Sequence, residues 1–203
     1  MSITQKRPSY RQRQALITRE TIISAAKFLF LTQGYGSTTI ENIAARAGLA
    51  VSTVYSIFGS KRGLLKAIRE QWHSQSRIRE TVYSMDPATP ALKRVEALAK
   101  ATREQWETGS EVIMIYTSAA ASDPDAAKEL EEALHGRRKG LAAFTSGLKP
   151  FFANGLDETK ASAIVYALCM PELYQELTQS SGWSPEEYQT WLSEVLSHEL
   201  LGE

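Results

Sequence analysis

From Ile22 to the C-terminus, apolar residues return every three or four positions and almost never alternate with polar ones, a pattern that predicts an all-α fold. The first helix is expected over 18–33, where Ile22, Ala25, Ala26 and Leu29 share a face and Gly34 follows as a stop. Thr39 offers an N-cap for a short helix over 40–47 that Gly48 ends, and a second short helix is expected over 51–58 after a tight turn. Ser60 then caps a helix over 61–84 whose apolar stripe is Leu64, Leu65, Ile68 and Trp72. The two prolines of MDPATP, 85–90, mark the main boundary. Beyond it, helices are expected over 90–107 and 111–121, separated by Gly109-Ser110, and over 124–147 despite Gly136 and Gly140. Another is expected over 158–179 with a kink at Pro171, and the capping box SPEE at 184–187 opens the last. The total is about nine helices in three parts: a basic flexible arm over 1–17, a three-helix unit over 18–66, and a larger helical body over 67–203.

Charge divides the chain at the same place. Its 23 Lys and Arg balance 23 Asp and Glu, yet residues 1–80 hold 13 basic against 4 acidic residues, and the remainder 10 against 19. Positive charge gathered at one end is the footprint of a surface that meets phosphates. A solvated tail accounts for Lys6, Arg7, Arg11 and Arg13 but not for the others. The longest apolar run, AIVYALCMP at 163–171, is too short to span a bilayer, and the N-terminus lacks the apolar core of a secretion signal, so a soluble, cytoplasmic protein is expected. One cysteine, Cys169, permits no internal disulfide and no zinc cluster, so neither metal nor cofactor is expected. No P-loop, GxGxxG, GxSxG or HExxH occurs and His73, His135 and His198 lie far apart, which argues against an enzyme.

The stretch TTIENIAARAGLAVSTVYSIFGSKRGLL, 38–65, carries the chemistry. Two short helices joined at Gly48, with small Ala44 and Ala45 ahead of the turn, suit a helix-turn-helix. Ile40, Ile43, Ala47, Val54 and Phe58 can pack inward, leaving Val51, Ser52, Thr53, Tyr55 and Ser56 on a face that fits the major groove. With Thr38-Thr39, Ile43-Ala44, Gly48, Thr53-Val54-Tyr55, Phe58 and Lys61 at these spacings, the segment 18–66 resembles the TetR family of bacterial transcriptional regulators. The resemblance implies phosphate contacts from Thr39, Thr53, Tyr55 and Lys61, and contacts to base edges or backbone from Glu41, Arg46, Val51, Ser52 and Ser56. It further implies a homodimer on double-stranded operator DNA, a repressor by default, released by an unknown small-molecule effector. A transcriptional activator and a sequence-nonspecific architectural DNA-binding protein are the alternatives. Two departures stand out. Ala50 occupies the place of a capping Ser or Thr, and Ile57 that of a polar or large aromatic residue. The arm over 6–14 either follows the DNA backbone or serves only as a solubilising tail.

After the linker the resemblance fades. ASAIVYALCM, 161–170, is apolar on nearly all faces, and the last helix carries a stripe of its own, which together read as half of a four-helix dimer seam built from Tyr166, Met170, Leu173, Tyr188, Trp191, Leu192 and Val195, the alternative being a helix buried wholly within its own monomer. Trp106, Met114, Tyr116, Phe144, Tyr166 and Cys169 are candidates for an apolar effector pocket, with Glu111, Arg103, His135 or Arg137 as charged groups able to select the ligand. The helix over 61–84 touches both ends and is the natural lever between them.

Overall fold

A computed structural model describes residues 9–75, 82, 84–86 and 88–202. Among the described residues the chain is all-α, with nine α-helices and no strand: α1 Tyr10–Gln33, α2 Ile40–Ala47, α3 Val51–Phe58, α4 Lys61–Gln75, α5 Ala91–Ala120, α6 Pro124–Ser146, α7 Glu158–Leu168, α8 Pro171–Gln175 and α9 Pro185–Leu201. The first three helices and the start of α4 form a helix-turn-helix domain around Ile22, Ala26, Phe30, Ile43, Val54, Leu64 and Ile68. The larger helical domain is organised on α5, which packs against α6, α8 and α9 and also against α1 and α4. None of the helices is long and apolar enough to cross a membrane, among the described residues.

Local outcomes depart from expectation at α1, at α5 and around Pro171. Helix α1 starts at Tyr10 instead of Thr18, because Ser9 and Gln12 form a capping box: the Ser9 hydroxyl accepts from the Gln12 N–H at 3.3 Å and Gln12 Oε1 accepts from the Ser9 N–H at 2.8 Å. Residues 10–17, expected as flexible arm, are therefore helical, with every side chain exposed. The lever helix is described as far as Gln75; the part of that expectation over 76–81 and 83 lies outside the described residues, and its expected last residue, Ser84, stands in a turn.

Helix α5 runs unbroken through Gly109-Ser110. Gly109 is there for packing: a Cβ would stand 2.3 Å from the Trp72 indole, so the bare backbone is what lets α4 approach. Conversely, the helix over 158–179 is divided. Pro171 has no N–H and pushes Met170 into an extended conformation, φ −73° and ψ 147°, so α7 ends at Leu168 and Pro171 becomes the first residue of α8. One break fewer and one more leave the count at nine.

Candidate nucleic-acid interface

Helix α2 is fastened at both ends. At its start Thr39 Oγ1 accepts from the Asn42 N–H at 3.2 Å and donates to Asn42 Oδ1 at 2.7 Å. Asn42 thus completes a capping box, and the Thr39 hydroxyl proton is used within the chain. At its end Gly48 lies in the left-handed region, φ 68°, with its N–H on the Ala44 and Ala45 carbonyls. Helix α3 differs. Ala50 supplies no cap, leaving the first-turn N–H groups without a side-chain acceptor. Its inward residue is Val54, and Ile57 and Phe58 pack half-buried on the core.

The outer face of α3 carries Ser52, Tyr55 and Ser56, all exposed, with Thr53 and Val51 half-buried beside them. No hydroxyl of Ser52, Thr53, Tyr55 or Ser56 has a hydrogen-bond partner among the described residues. Glu41 and Arg46 are exposed on α2, the Arg46 guanidinium lying 3.3 Å over the Phe28 ring. Gly63 sets how closely α4 follows α3, since a Cβ would fall 1.9 Å from the Phe58 carbonyl oxygen.

Lys61 is placed differently from the expected phosphate contact. Its ammonium donates to the carbonyls of Tyr35 at 2.8 Å, Thr38 at 3.0 Å and Gly36 at 3.3 Å, using all three protons, and lies 4.4 Å over the Tyr35 ring. Burial lowers its pKa. Lys61 therefore braces the loop that delivers Thr39 to α2. Thr38 helps from within, its hydroxyl donating to the Gly34 carbonyl at 2.8 Å.

Behind this face an ionic clasp joins the two domains. Arg69 and Lys66 of α4 lie 2.9 and 3.5 Å from the Glu129 carboxylate of α6, and Arg62 reaches both Glu129, at 3.4 Å, and Asp125. The Tyr116 hydroxyl donates to Glu129 at 3.2 Å and that of Tyr35 to Asp123 at 3.2 Å. Burial first, and then Asp123, pushes the Tyr35 pKa up to about 12. Sequence reading passed over this clasp, although Arg62, Lys66 and Arg69 on one side and Asp125 and Glu129 on the other keep the spacing of single helix faces.

The residues expected at a dimer seam separate into two groups. Tyr188 and Leu192 have no exposed surface and belong to the chain's own core. Tyr166, Met170, Leu173, Trp191 and Val195 remain half-buried. The chain covers more of α7 by itself than its composition suggested, because Ala161, Val165 and Cys169 face inward while Ala163 and Ala167 stay exposed. Of the pocket candidates, Met114 is 47% exposed, and Tyr116 is buried with its hydroxyl donating to Glu129. Trp106 and Cys169 do meet, the indole N–H donating to the Cys169 carbonyl at 3.0 Å. Phe144, two turns along α6 from Arg137, is buried beneath Arg94, and Tyr166 lies under Arg138.

An N-terminal helix-turn-helix with an open, hydroxyl-rich second helix, carried on a larger helical body, defines a class of DNA-binding protein. Residues 22–68 match the family model of bacterial regulatory proteins of the tetR family. A 59-residue segment, 29% of this chain, is 32% identical to the HTH-type transcriptional regulator AlkX of Mycobacterium tuberculosis and spans only 28% of that relative. Over nearly the whole chain the similarity is one of fold. A bacterial regulatory protein in the tetR family from Rhodococcus RHA1 matches with a TM-score of 0.68 at 17% identity, covering 90% of this chain and 96% of that one. A transcriptional regulator from Saccharomonospora viridis, in complex with choline, matches with a TM-score of 0.66 at 21% identity, covering 94% and 99%. The N-terminal domain thus belongs to the TetR family, and the chain as a whole has the fold of that family's solved members.

Proposed function

We propose that the protein is a cytoplasmic transcriptional regulator that binds double-stranded operator DNA as a homodimer, represses, and is released by a small-molecule effector. The observation that carries this reading is the outer face of α3, where four hydroxyls stand without partners on an exposed helix. Unpaired donors on such a helix are suited to phosphate oxygens and base edges. Tyr55 and Thr53 serve the backbone, Ser52, Ser56 and Val51 the base edges, and Glu41 and Arg46 flank them from α2. Thr39 offers its backbone and cap, and Lys61 contributes by holding the loop. The DNA-reading unit is taken as 18–66 and the sensing and dimerising unit as 67–203. Arg11 and Arg13, exposed on the first turns of α1, extend the basic surface toward the duplex.

Dimerisation is assigned to the half-buried residues of α7, α8 and α9, with Tyr166, Met170, Leu173, Trp191 and Val195 at the seam. An effector site in the larger domain is supported by the choline-bound relative of the same fold. The test is binding to the region upstream of its own gene against random DNA of equal length at fixed salt. A preference of roughly 10³-fold or more is expected for operator recognition. Equal affinity for both would leave only a nonspecific DNA binder. Val195→Glu should yield monomers by sedimentation, whereas Leu192→Glu should unfold the chain.

A further inference from the structure

The acidic body holds one basic run, His135, Arg137, Arg138 and Lys139 of α6. None of the four takes part in an ion pair among the described residues. Arg138 lies 3.9 Å over the Tyr166 ring at the surface. Arg137 reaches further in, 4.6 Å over the Trp106 ring, where Nη1 donates to Gln105 Oε1 at 2.5 Å and Nη2 to the Cys169 carbonyl at 2.6 Å. Both acceptors are neutral, and the buried Nε has none.

A guanidinium keeps its charge at any physiological pH, so drawing it away from water among neutral groups is unfavourable unless a counter-charge arrives. The nearby titratable groups do not provide one, because burial holds the Cys169 thiol and the Tyr188 hydroxyl in their neutral forms. Capping the end of α7 occupies only Nη2, which shares the Cys169 carbonyl with Trp106 Nε1 at 3.0 Å, and leaves Nε unused. A second donor is stranded beside it. Trp72 of α4 stacks on Trp106 with ring centroids 6.2 Å apart, and its Nε1 is buried without an acceptor.

We infer that Arg137 is the recognition point for an organic anion, a carboxylate joined to an apolar or aromatic body, one of whose oxygens accepts from Nε. The inference rests on the reading of the chain as an effector-responsive regulator and adds the chemical class of the effector. A carboxylate matches the edge of a guanidinium with two oxygens, which a spherical anion does not. Arg138 and Lys139, exposed on the same helix, would attract such an anion from solvent. Through Trp106 the bound anion acts on Trp72, and so on the helix whose first turn adjoins the DNA face.

Calorimetric titration of the full chain with matched probes tests this: decanoate against decan-1-ol, and 2-naphthoate against 2-naphthalenemethanol. In at least one pair the carboxylate should bind about tenfold or more tightly than its alcohol, and Arg137→Gln should reduce that preference to below about twofold while leaving the alcohol's affinity unchanged. Arg137→Lys, which keeps the charge but loses the planar edge, should retain a reduced preference and serves if the Gln variant does not fold. No preference in either pair, or a preference that survives Arg137→Gln, overturns the inference. Repeating the titrations with the upstream DNA fragment keeps the two readings apart. A carboxylate that depends on Arg137 yet leaves DNA affinity unchanged upholds this site and refutes effector release.

Discussion

Helices α2 and α3 are each eight residues long, adjacent, and built on the same small core, yet they are finished differently. Helix α2 has a reciprocal cap at its start, a left-handed glycine at its end, and a lysine bracing the loop that feeds it. Helix α3 has an alanine where the cap belongs and a solvent face of hydroxyls that bond nothing among the described residues. An isolated helix of this length is marginal, so what secures its ends matters. The first is completed by the protein itself. The second has no such closure at its start, which suits the proposed role, in which duplex phosphates would supply acceptors for the first N–H groups.

The contrast can be broken most severely at the junction after α3. Gly63→Ala drives a methyl into the Phe58 carbonyl and should cost about 3 kcal/mol, with loss of DNA binding, as read by thermal unfolding and gel shift. Next comes the brace: Lys61→Met strands the carbonyls of Tyr35 and Thr38 and should cost about 2 kcal/mol. Because its ammonium is engaged internally, the slope of log affinity against log salt should stay the same for folded protein. A slope reduced by about one per subunit would instead restore Lys61 as a phosphate contact. Thr39→Ala removes the cap of α2 and should cost about 1 kcal/mol in chemical denaturation. The smallest effect is also the sharpest. Ala50→Ser supplies the missing cap and should stabilise α3 by about 0.5–1 kcal/mol, slowing its amide exchange and tightening DNA binding by roughly 2–5-fold. Amide exchange that is already slow in the unmodified α3, and unmoved by the serine, would show that the helix is fully formed without DNA.

Features written in neighbouring residues were legible. Both helix-turn-helix elements, the Asp123 cap of α6 and the SPEE box of α9 fall where local caps and periodicity put them, because each depends on residues within a turn of one another. The Ser9 to Gln12 box at the start of α1 was equally local and was hidden only by the lack of an apolar face around it. What eluded sequence reading depends on distant partners. Gly109 looks like a helix breaker until Trp72 is seen against it, and Lys61 looks like a free cation until the loop over 35–38 is folded onto it. Tyr188 and Leu192 were assigned to a partner because nothing in the sequence says how much cover α5 provides. The outer face of α3 was easier to foresee, since exposed positions on an amphipathic helix follow from its buried ones. The surroundings of Arg137 were not foreseeable, because they require α4, α5, α6 and the end of α7 to meet at one ring.

The clasp at Glu129 has a bearing on how the molecule responds to its ionic surroundings. Its carboxylate is only 16% exposed while it faces three cations and a tyrosine hydroxyl, so dissolved ions screen it far less than they screen an open surface. Contacts between Tyr55 or the basic first turns of α1 and a duplex would have no such shelter. Added salt should therefore loosen the grip on DNA long before it disturbs the angle at which the two domains are set. Osmotic swings in the cell would then alter how tightly the protein holds, while the geometry it holds with is kept by a carboxylate that is itself largely sheltered.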